Sequence, residues 1–248
     1  MRIGIAGYGF VGQAHHNALN DYYDILISDP NKGYFEDLRH ADAIIVCVST
    51  PPTESGSCDM NNVFEVLDNA PNVPILIKST ISLEGWDMLR DAFPDHDITF
   101  SPEFLRAATA LEDFSNTKEM LMGGDSMSAW AEIFITAMGK INVRYCPPRE
   151  LILAKYFRNT FLATKVAFFN QMYDLCDATG LDFDHVRRSV SEDNRIGNSH
   201  TQVTQERGFG GHCFPKDTEA LVKTAQRNNV ELSILEQAIS YNKKIRKD

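Results

Sequence analysis

Short apolar runs separated by polar and helical stretches fill the first part of the chain. Arg2–Ala6 is the first run. It opens into Gly7-Tyr8-Gly9-Phe10-Val11-Gly12 and a helical stretch through Ala18. Asp24–Asp29, Ala43–Val48, Pro74–Lys78, Asp97–Phe100, Glu119–Gly123 and Asn142–Tyr145 read as further strands, with helices over Met60–Asn69 and near Met127–Met138. The continuous apolar run Ala43–Val48 suits a parallel strand buried on both faces. Strands alternating with helices predict an α/β fold: an N-terminal Rossmann-type, doubly wound parallel sheet. Ser49-Thr50-Pro51-Pro52 stops the third strand, and the polar Thr53–Asp59 reads as loop.

The pattern changes after Pro147-Pro148, which punctuate the chain. A boundary there gives residues 1–147 as a cofactor-binding domain and 148–248 as an all-helical domain with one long helix. That helix is predicted over Glu150–Ala178, with Gly180 suited to its stop. Its apolar residues, among them Leu151, Phe157, Phe161, Leu162, Val166, Phe168, Phe169 and Met172, surround most of the cylinder. A helix apolar on many sides needs cover on many sides, so a homodimer through 150–178 is expected. Asp182–Ser191 reads as a short helix. Asp217 or Thr218 is expected to cap a helix running to Arg227, and Ser233-Ile234-Leu235-Glu236 has the capping-box pattern of a last helix.

Composition narrows the partners. A net charge of −10 over 248 residues disfavours nucleic acid, which is usually bound by basic patches. It leaves anionic small molecules open, because helix N-termini bind phosphate. The five cysteines are odd in number and form no C-x-x-C pair, which argues against a disulfide framework or a zinc knuckle and for free thiols in a reducing cytoplasm. His15 and His16 are adjacent and cannot share a helix face, so no metal is expected there. The first residues already form a strand, so no signal peptide is expected. No apolar run approaches the roughly 18 residues of a membrane span.

The first candidate chemistry lies in Gly7–Gly12. G-x-G-x-x-G between strand and helix is the dinucleotide fingerprint: the glycines permit the turn, the approach of a pyrophosphate and the packing of helix on strand. Asp29, ending the second strand, would accept the ribose hydroxyls and repel a 2′-phosphate, favouring NAD over NADP; Lys32 nearby weakens that preference. Thr50, at the end of the third strand, fits either the cofactor crevice or a plain loop cap. Thr80 and Glu103 follow two further strand ends, where α/β sheets bind ligands. They fit either a pair that holds and activates a water or, equally, a helix cap and an exposed acid. Lys155 and Asn159, spaced i, i+4, share one helix face. Lys155 is either desolvated and useful in proton transfer or simply solvated. Finally, Gly208-Phe-Gly-Gly-His-Cys-Phe-Pro-Lys-Asp217 places Cys213 after a glycine pair with Lys216 and Asp217 behind it, the pattern of a nucleophile on a shaped loop or of a buried structural thiol.

Taken together, Gly7–Gly12, Ser49–Pro52, Ser79–Ile81, Ser101–Arg106, Lys155–Asn170, Asn194–Gly197 and Gly208–Asp217 resemble, in order, the UDP-glucose and GDP-mannose dehydrogenase family. The resemblance implies a four-electron oxidation of a nucleotide sugar, UDP-glucose foremost, at its primary alcohol, with two NAD used in turn. It makes Cys213 the nucleophile that carries a thiohemiacetal and then a thioester. Lys155 and Asn159 would stabilise charge on the reacting oxygen, Thr80 and Glu103 would position the hydrolytic water, and Asp217 would lie close by. Gly7, Gly9, Phe10, Val11, Gly12, Asp29, Lys32, Thr50, Thr80 and Lys216 fall on the cofactor side. Phe104, Leu105, Arg106, Lys155, Asn159, Gly210 and, from a neighbouring subunit, Arg195 fall on the substrate side.

Three features depart from the family pattern. Relatives usually continue into a third domain that covers the nucleotide, so either the nucleotide site is incomplete or a separate partner supplies that lid. Ala107 stands where relatives often carry Glu. His212 occupies a position that varies with the sugar. Two competing expectations remain: a two-electron hydroxy-acid-type dehydrogenase that leaves Cys213 idle, and a non-catalytic NAD-binding remnant.

Overall fold

A computed structural model describes residues 1–53, 58–211 and 213–247. The chain divides into two compact units, the first running to Lys155 and the second beginning at Tyr156. The division falls inside the long helix.

The first unit is built on β1 (Arg2–Ala6), which pairs in parallel with β2 (Asp24–Asp29) on one side and with β4 (Ala43–Val46) on the other. β4 pairs with β5 (Ile75–Ile77), and β5 with β6 (Ile98–Phe100), again in parallel. β4, β5 and β6 are buried at every residue, as strands covered on both faces must be. The sheet order reverses between β1 and β4, and the crevice beyond the carboxyl ends of the strands at such a reversal is where open α/β sheets take ligands. Helix α1 (Phe10–Leu19) buries Ala14 and Leu19 in the same core as Ile3, Ile45, Leu76 and Trp130. Each leucine or isoleucine among them contributes about 1.5–3 kcal/mol on burial. Truncating Ile45, fully enclosed at the sheet's centre, would cost roughly 2–5 kcal/mol.

Around this parallel centre the sheet is mixed. Among the described residues it has eight strands in the order β3-β2-β1-β4-β5-β6-β7-β8. β3 (Tyr34–Phe35) is a two-residue antiparallel edge beside β2. β7 (Glu119–Gly124) runs antiparallel to β6, and β8 (Asn142–Tyr145) follows β7 in parallel. The doubly wound parallel sheet expected from the sequence is found at the centre, and the antiparallel pairs lie outside it. The reason for the difference lies in the connection after β6. Parallel neighbours need a crossover to the opposite end of the sheet. Here the chain passes through a short helix, α4 (Ala110–Ser115), that packs on α1, and it re-enters the sheet beyond the carboxyl end of β6. Helices α2 (Asn61–Asn69), α3 (Leu83–Ala92) and α5 (Met127–Met138) complete the layers.

α6 (Pro148–Thr179) has 32 residues and spans about 48 Å. Its later part belongs to the second unit, with α7 (Phe183–Ser191), α8 (Cys213–Arg227) and α9 (Ser233–Ile245). Small side chains set the packing: Ala163 and Ala167 of α6 and Ala238 of α9 meet around Phe209. α7 is capped by Asp182, whose carboxylate accepts from the Asp184 and His185 amides. Two predicted helix starts are displaced. α8 begins at Cys213, so Asp217 and Thr218 lie inside it, buried, and cap nothing. Pro215 is accommodated because the first-turn N–H groups of a helix have no internal partner anyway. α9 starts at Ser233 itself, so the Ser233 hydroxyl makes no capping bond and Leu232 takes the cap position. No helix among the described residues is long and apolar enough to cross a membrane. Much of the predicted Thr53–Asp59 loop, and His212, lie outside the described residues.

Candidate active site

The glycine turn is shaped by backbone contacts. Gly7 has φ +87°, and its N–H donates to the Ser28 carbonyl at 2.8 Å. A Cβ on Gly7 would sit 2.7 Å from the Cys47 carbonyl oxygen, and one on Gly12 would sit 2.2 Å from that of Gly7. These two glycines are thus consumed by packing. Gly9 differs: a Cβ there would meet nothing within 4 Å, and as the residue preceding α1 it offers no side-chain cap to the helix amides. Open space before uncapped N–H groups at a positive helix end suits a pyrophosphate. Phe10 and Val11 begin α1, and Phe10 is 40% exposed. At the end of β2, Asp29 Oδ2 accepts from the Tyr8 N–H at 2.7 Å, and Lys32 Nζ donates to the Tyr8 carbonyl at 2.8 Å. Asp29 is therefore oriented by the turn it serves, with its other oxygen available to ribose hydroxyls. These residues fit a dinucleotide.

At the neighbouring strand ends, the Thr50 hydroxyl donates to the Thr80 carbonyl at 2.6 Å, which joins the segments that follow β4 and β5. Thr80 does not cap α3, because Ser82 does so by accepting from Gly85 N at 2.9 Å. Glu103 is not an exposed acid: its side chain is 12% exposed and lies 3.1 Å from the ammonium of Lys78, which is itself only 2% exposed. Glu103 Oε2 meets that ammonium off the hydrogen-bond angle, and Oε1 accepts from the Phe104 N–H at 2.7 Å. Burial opposes ionisation of Glu103, but the Lys78 ammonium, with the Phe104 amide, outweighs it and holds the carboxyl below its usual range. Removing one member of such a buried pair costs about 3–5 kcal/mol. Lys155 donates to the main-chain carbonyl of Glu103, with its ammonium 5.6 Å from the centre of the Phe104 ring. Leu105 packs against the sheet core, and Arg106 is turned to Asp113, with Nε at 3.0 Å. Ala107 lines a cavity of about 340 Å³ with Phe10, Gln13 and Glu112.

In the second unit Cys213 is the first residue of α8. Of the five cysteines, all among the described residues, it alone is exposed, so it is not a buried structural thiol. One turn further along, Asp217 is 1% exposed; its Oδ2 accepts from Asn159 Nδ2 at 2.6 Å, and its Oδ1 lies 3.3 Å from Lys216 Nζ. The approach to Cys213 is clamped by two buried asparagines. Asn242 of α9 bonds both the N–H and the carbonyl of Phe209, at 2.6 and 2.9 Å. Asn170 of α6 accepts from Gly208 N at 3.0 Å and Arg207 Nε at 2.9 Å. Gly210 leaves room for the Arg246 guanidinium, which would stand 2.5 Å from a Cβ. Arg195, 88% exposed, pairs with Asp193, while Lys165 holds its turn through the Ile196 and Gly197 carbonyls.

Lys155 and Asn159 share a helix face as predicted, yet they bond to different groups, Glu103 and Asp217. Sequence reasoning missed Lys78, Asn170 and Asn242. For Lys78 a signal existed, since a lysine directly follows an apolar strand and precedes Ser79-Thr80.

Residues 30–136 match the NAD binding domain of the UDP-glucose/GDP-mannose dehydrogenase family, and residues 150–244 match its central domain. The chain is 33% identical to UDP-glucose 6-dehydrogenase of Rickettsia felis, over 85% of this chain and 49% of that protein. It is 32% identical to UDP-glucose 6-dehydrogenase TuaD of Bacillus subtilis, over 84% and 48%. It thus spans about half the length of the curated relatives it matches. Its fold is similar to that of a UDP-glucose dehydrogenase from Pyrobaculum islandicum, with TM-score 0.84 and 24% identity over 98% of this chain and 68% of that one. With the family's NAD binding and central domain patterns matched in order along most of its length, this chain belongs to the UDP-glucose/GDP-mannose dehydrogenase family.

Proposed function

We propose that the chain carries out NAD-dependent oxidation of a nucleotide sugar, UDP-glucose first among candidates, from the C6 alcohol to the carboxylate. The observation that carries this reading is the exposed Cys213 at the start of α8, on a loop fixed by Asn170 and Asn242, with the buried Asp217 one turn behind it. Bound NAD would supply the hydride acceptor, used twice, held by the Gly7–Gly12 turn and Asp29.

The protein's own groups divide the reaction. In the first oxidation the alcohol carbon loses a hydride and its oxygen a proton, giving an aldehyde. The Cys213 sulfur then bonds to that carbon, and the carbonyl oxygen takes up the thiol proton to give a thiohemiacetal. Loss of a second hydride from carbon and a proton from oxygen leaves a thioester. Water adds to the thioester carbon, the carbon–sulfur bond breaks, and the uronate leaves with the thiol restored. Splitting the four-electron change in this way makes each step easier. Lys155 and Asn159 offer N–H donors to the oxygen as charge builds on it. Glu103, held as an anion, and Thr80 orient the attacking water. A two-electron hydroxy-acid dehydrogenase would leave Cys213 without a task.

We further propose a homodimer through α6. Phe157, Phe161, Phe168 and Leu175 are each at least half exposed, and at 100° per residue they fall within about 40° of one line along the helix. Free thiols without disulfide pairing suit a reducing compartment such as the cytoplasm.

The test is stoichiometric. Purified protein is mixed with NAD and UDP-glucose, GDP-mannose or N-acetylated nucleotide sugars, and NADH is counted against sugar consumed. The reading expects two NADH per sugar with one of them. Cys213→Ser is expected to abolish carboxylate formation. One NADH per sugar, or full carboxylate yield without the thiol, would overturn the covalent route.

A further inference from the structure

Lys78 is the least expected charge in the first unit. It follows β5, its side chain is 2% exposed, and an isolated ammonium at such depth is costly to keep. All the partners found for it come from one short stretch: Ser101 Oγ at 3.0 Å, the Pro102 carbonyl at 3.5 Å and Glu103 Oε2 at 3.1 Å. The ammonium therefore spans from the end of β5 to the end of β6 and stops at the carboxylate. Glu103 is fixed at both oxygens, by Lys78 at Oε2 and by the Phe104 amide at Oε1. A carboxylate oxygen has two acceptor directions. Oε2 is closed to solvent and only ion-paired, so a proton from water must reach the carboxylate at Oε1, whose second acceptor direction is left while the Phe104 amide holds the first. A tie between two strands would not need a charge, since apolar groups of like volume often replace buried ion pairs at no loss of stability.

We propose that Lys78 is a positioning residue for Glu103, its buried ammonium setting both the direction and the charge of the carboxylate that handles water; this rests on the dehydrogenase reading above. Four titratable or charged groups stand near Glu103. Lys78 comes from the end of β5. His15 comes from α1, where it is kept neutral by burial. Cys47, after β4, has its thiol pushed up to about 12 by burial. Lys155 of α6 bonds the Glu103 main chain. Only Lys78 places a cation directly on the Glu103 side chain among the described contacts.

The test compares Lys78→Met and Lys78→Arg with the unaltered protein. Lys78→Met is expected to fold and to bind NAD normally, to release the first hydrides, and to slow thioester hydrolysis by roughly 100-fold, the scale of a misplaced group. Acylated Cys213 should then build up and be seen as added mass on the intact protein. The acid limb of kcat should move to higher pH, while KM for the sugar changes little. Lys78→Arg keeps the charge and should keep the limb. An unmoved limb with no acylated protein would overturn the proposal. If Lys78→Met fails to fold, the carboxyl carbon of Glu103 in the unaltered protein, assigned with Glu103→Gln, decides by NMR titration: it should titrate below ordinary glutamates and closely follow the charge state in Lys78→Arg. An ordinary titration would overturn the idea. Absence of turnover with every nucleotide sugar would remove the dehydrogenase reading and leave the same titration to decide whether Lys78 governs Glu103.

Discussion

Asn159 gives its side-chain amide to the buried carboxylate of Asp217 at 2.6 Å, joining α6 to α8 one turn beyond the exposed thiol. The other carboxylate oxygen lies 3.3 Å from the Lys216 ammonium, so Asp217 combines one hydrogen bond with one ion pair in a site almost closed to solvent. Asp217→Ala is expected to destabilise the protein by about 2–3 kcal/mol, the scale of hydrogen bonds to a charged group. Asp217→Asn keeps an acceptor for Asn159 and should lose less. Urea unfolding of the two variants checks the order; equal losses would show that shape, not the bond, matters.

The glycines of the turn separate packing from binding. Gly12→Ala forces a Cβ against the Gly7 carbonyl at 2.2 Å, and such overpacking costs about 1–3 kcal/mol. Gly9→Ala meets no atom within 4 Å, and Gly9 has an ordinary φ of −71°. The Gly9 variant should keep its melting temperature but bind NAD at least about tenfold more weakly, or about 1.4 kcal/mol. Calorimetry with NAD and a thermal melt together test this. Unchanged NAD affinity in the Gly9 variant would remove the pyrophosphate from that place.

His15 gives a pH dependence that needs no substrate. It is fully enclosed against Phe114 at 4.3 Å, and its Nδ1–H donates to the Val11 carbonyl. Burial first, then the nearby Lys78, pushes its pKa down to about 4. The unfolded chain takes up the proton below about 6.5. Between those values the unfolded state holds more protons, so stability is full above about pH 6.5 and falls as the pH drops toward about 4. From about pH 7 to about pH 5 the loss should be about 2 kcal/mol. His15→Leu should flatten that slope in urea unfolding; an equally steep slope in the variant would assign it elsewhere.

The α6 stripe is tested by association. Phe161→Asp combined with Phe168→Asp places two charges on the proposed dimer face. Light scattering after size exclusion should show the mass falling from two chains to one while helical content is kept. A single-chain mass before substitution would dismiss the face as an interface.

The glycine turn and the acid ending β2 are legible in the sequence because the strand, turn and helix that place them are local. The parallel centre of the sheet was legible for a similar reason, since strands buried on both faces read as continuous apolar runs. Lys78 was not, because its meaning comes from Glu103, a partner reached only through the pairing of β5 with β6. Adjacent histidines do not reveal their surroundings in the sequence; the helix turns His15 into the core and His16 toward the Tyr8 hydroxyl. Asp217 and Thr218 have the side chains of helix caps, yet α8 starts four residues before Asp217, because proline is acceptable in a first turn. The antiparallel β7 escaped notice because the direction of a strand is set by its connection, not by its own residues.

The grip of α9 on the thiol loop has a mechanical consequence. Asn242 holds Phe209 by both of its backbone groups, Arg246 donates to the Arg207 carbonyl at 3.1 Å, and the Lys247 amide donates to that of Glu206 at 3.0 Å. The far end of α9 and the run-up to Cys213 thus behave as one linked lever. Loosening the last turn of α9, as in Asn242→Ala, is therefore expected to free residues 206–209 as well, so the order of that segment depends on a side chain 33 residues further along the chain.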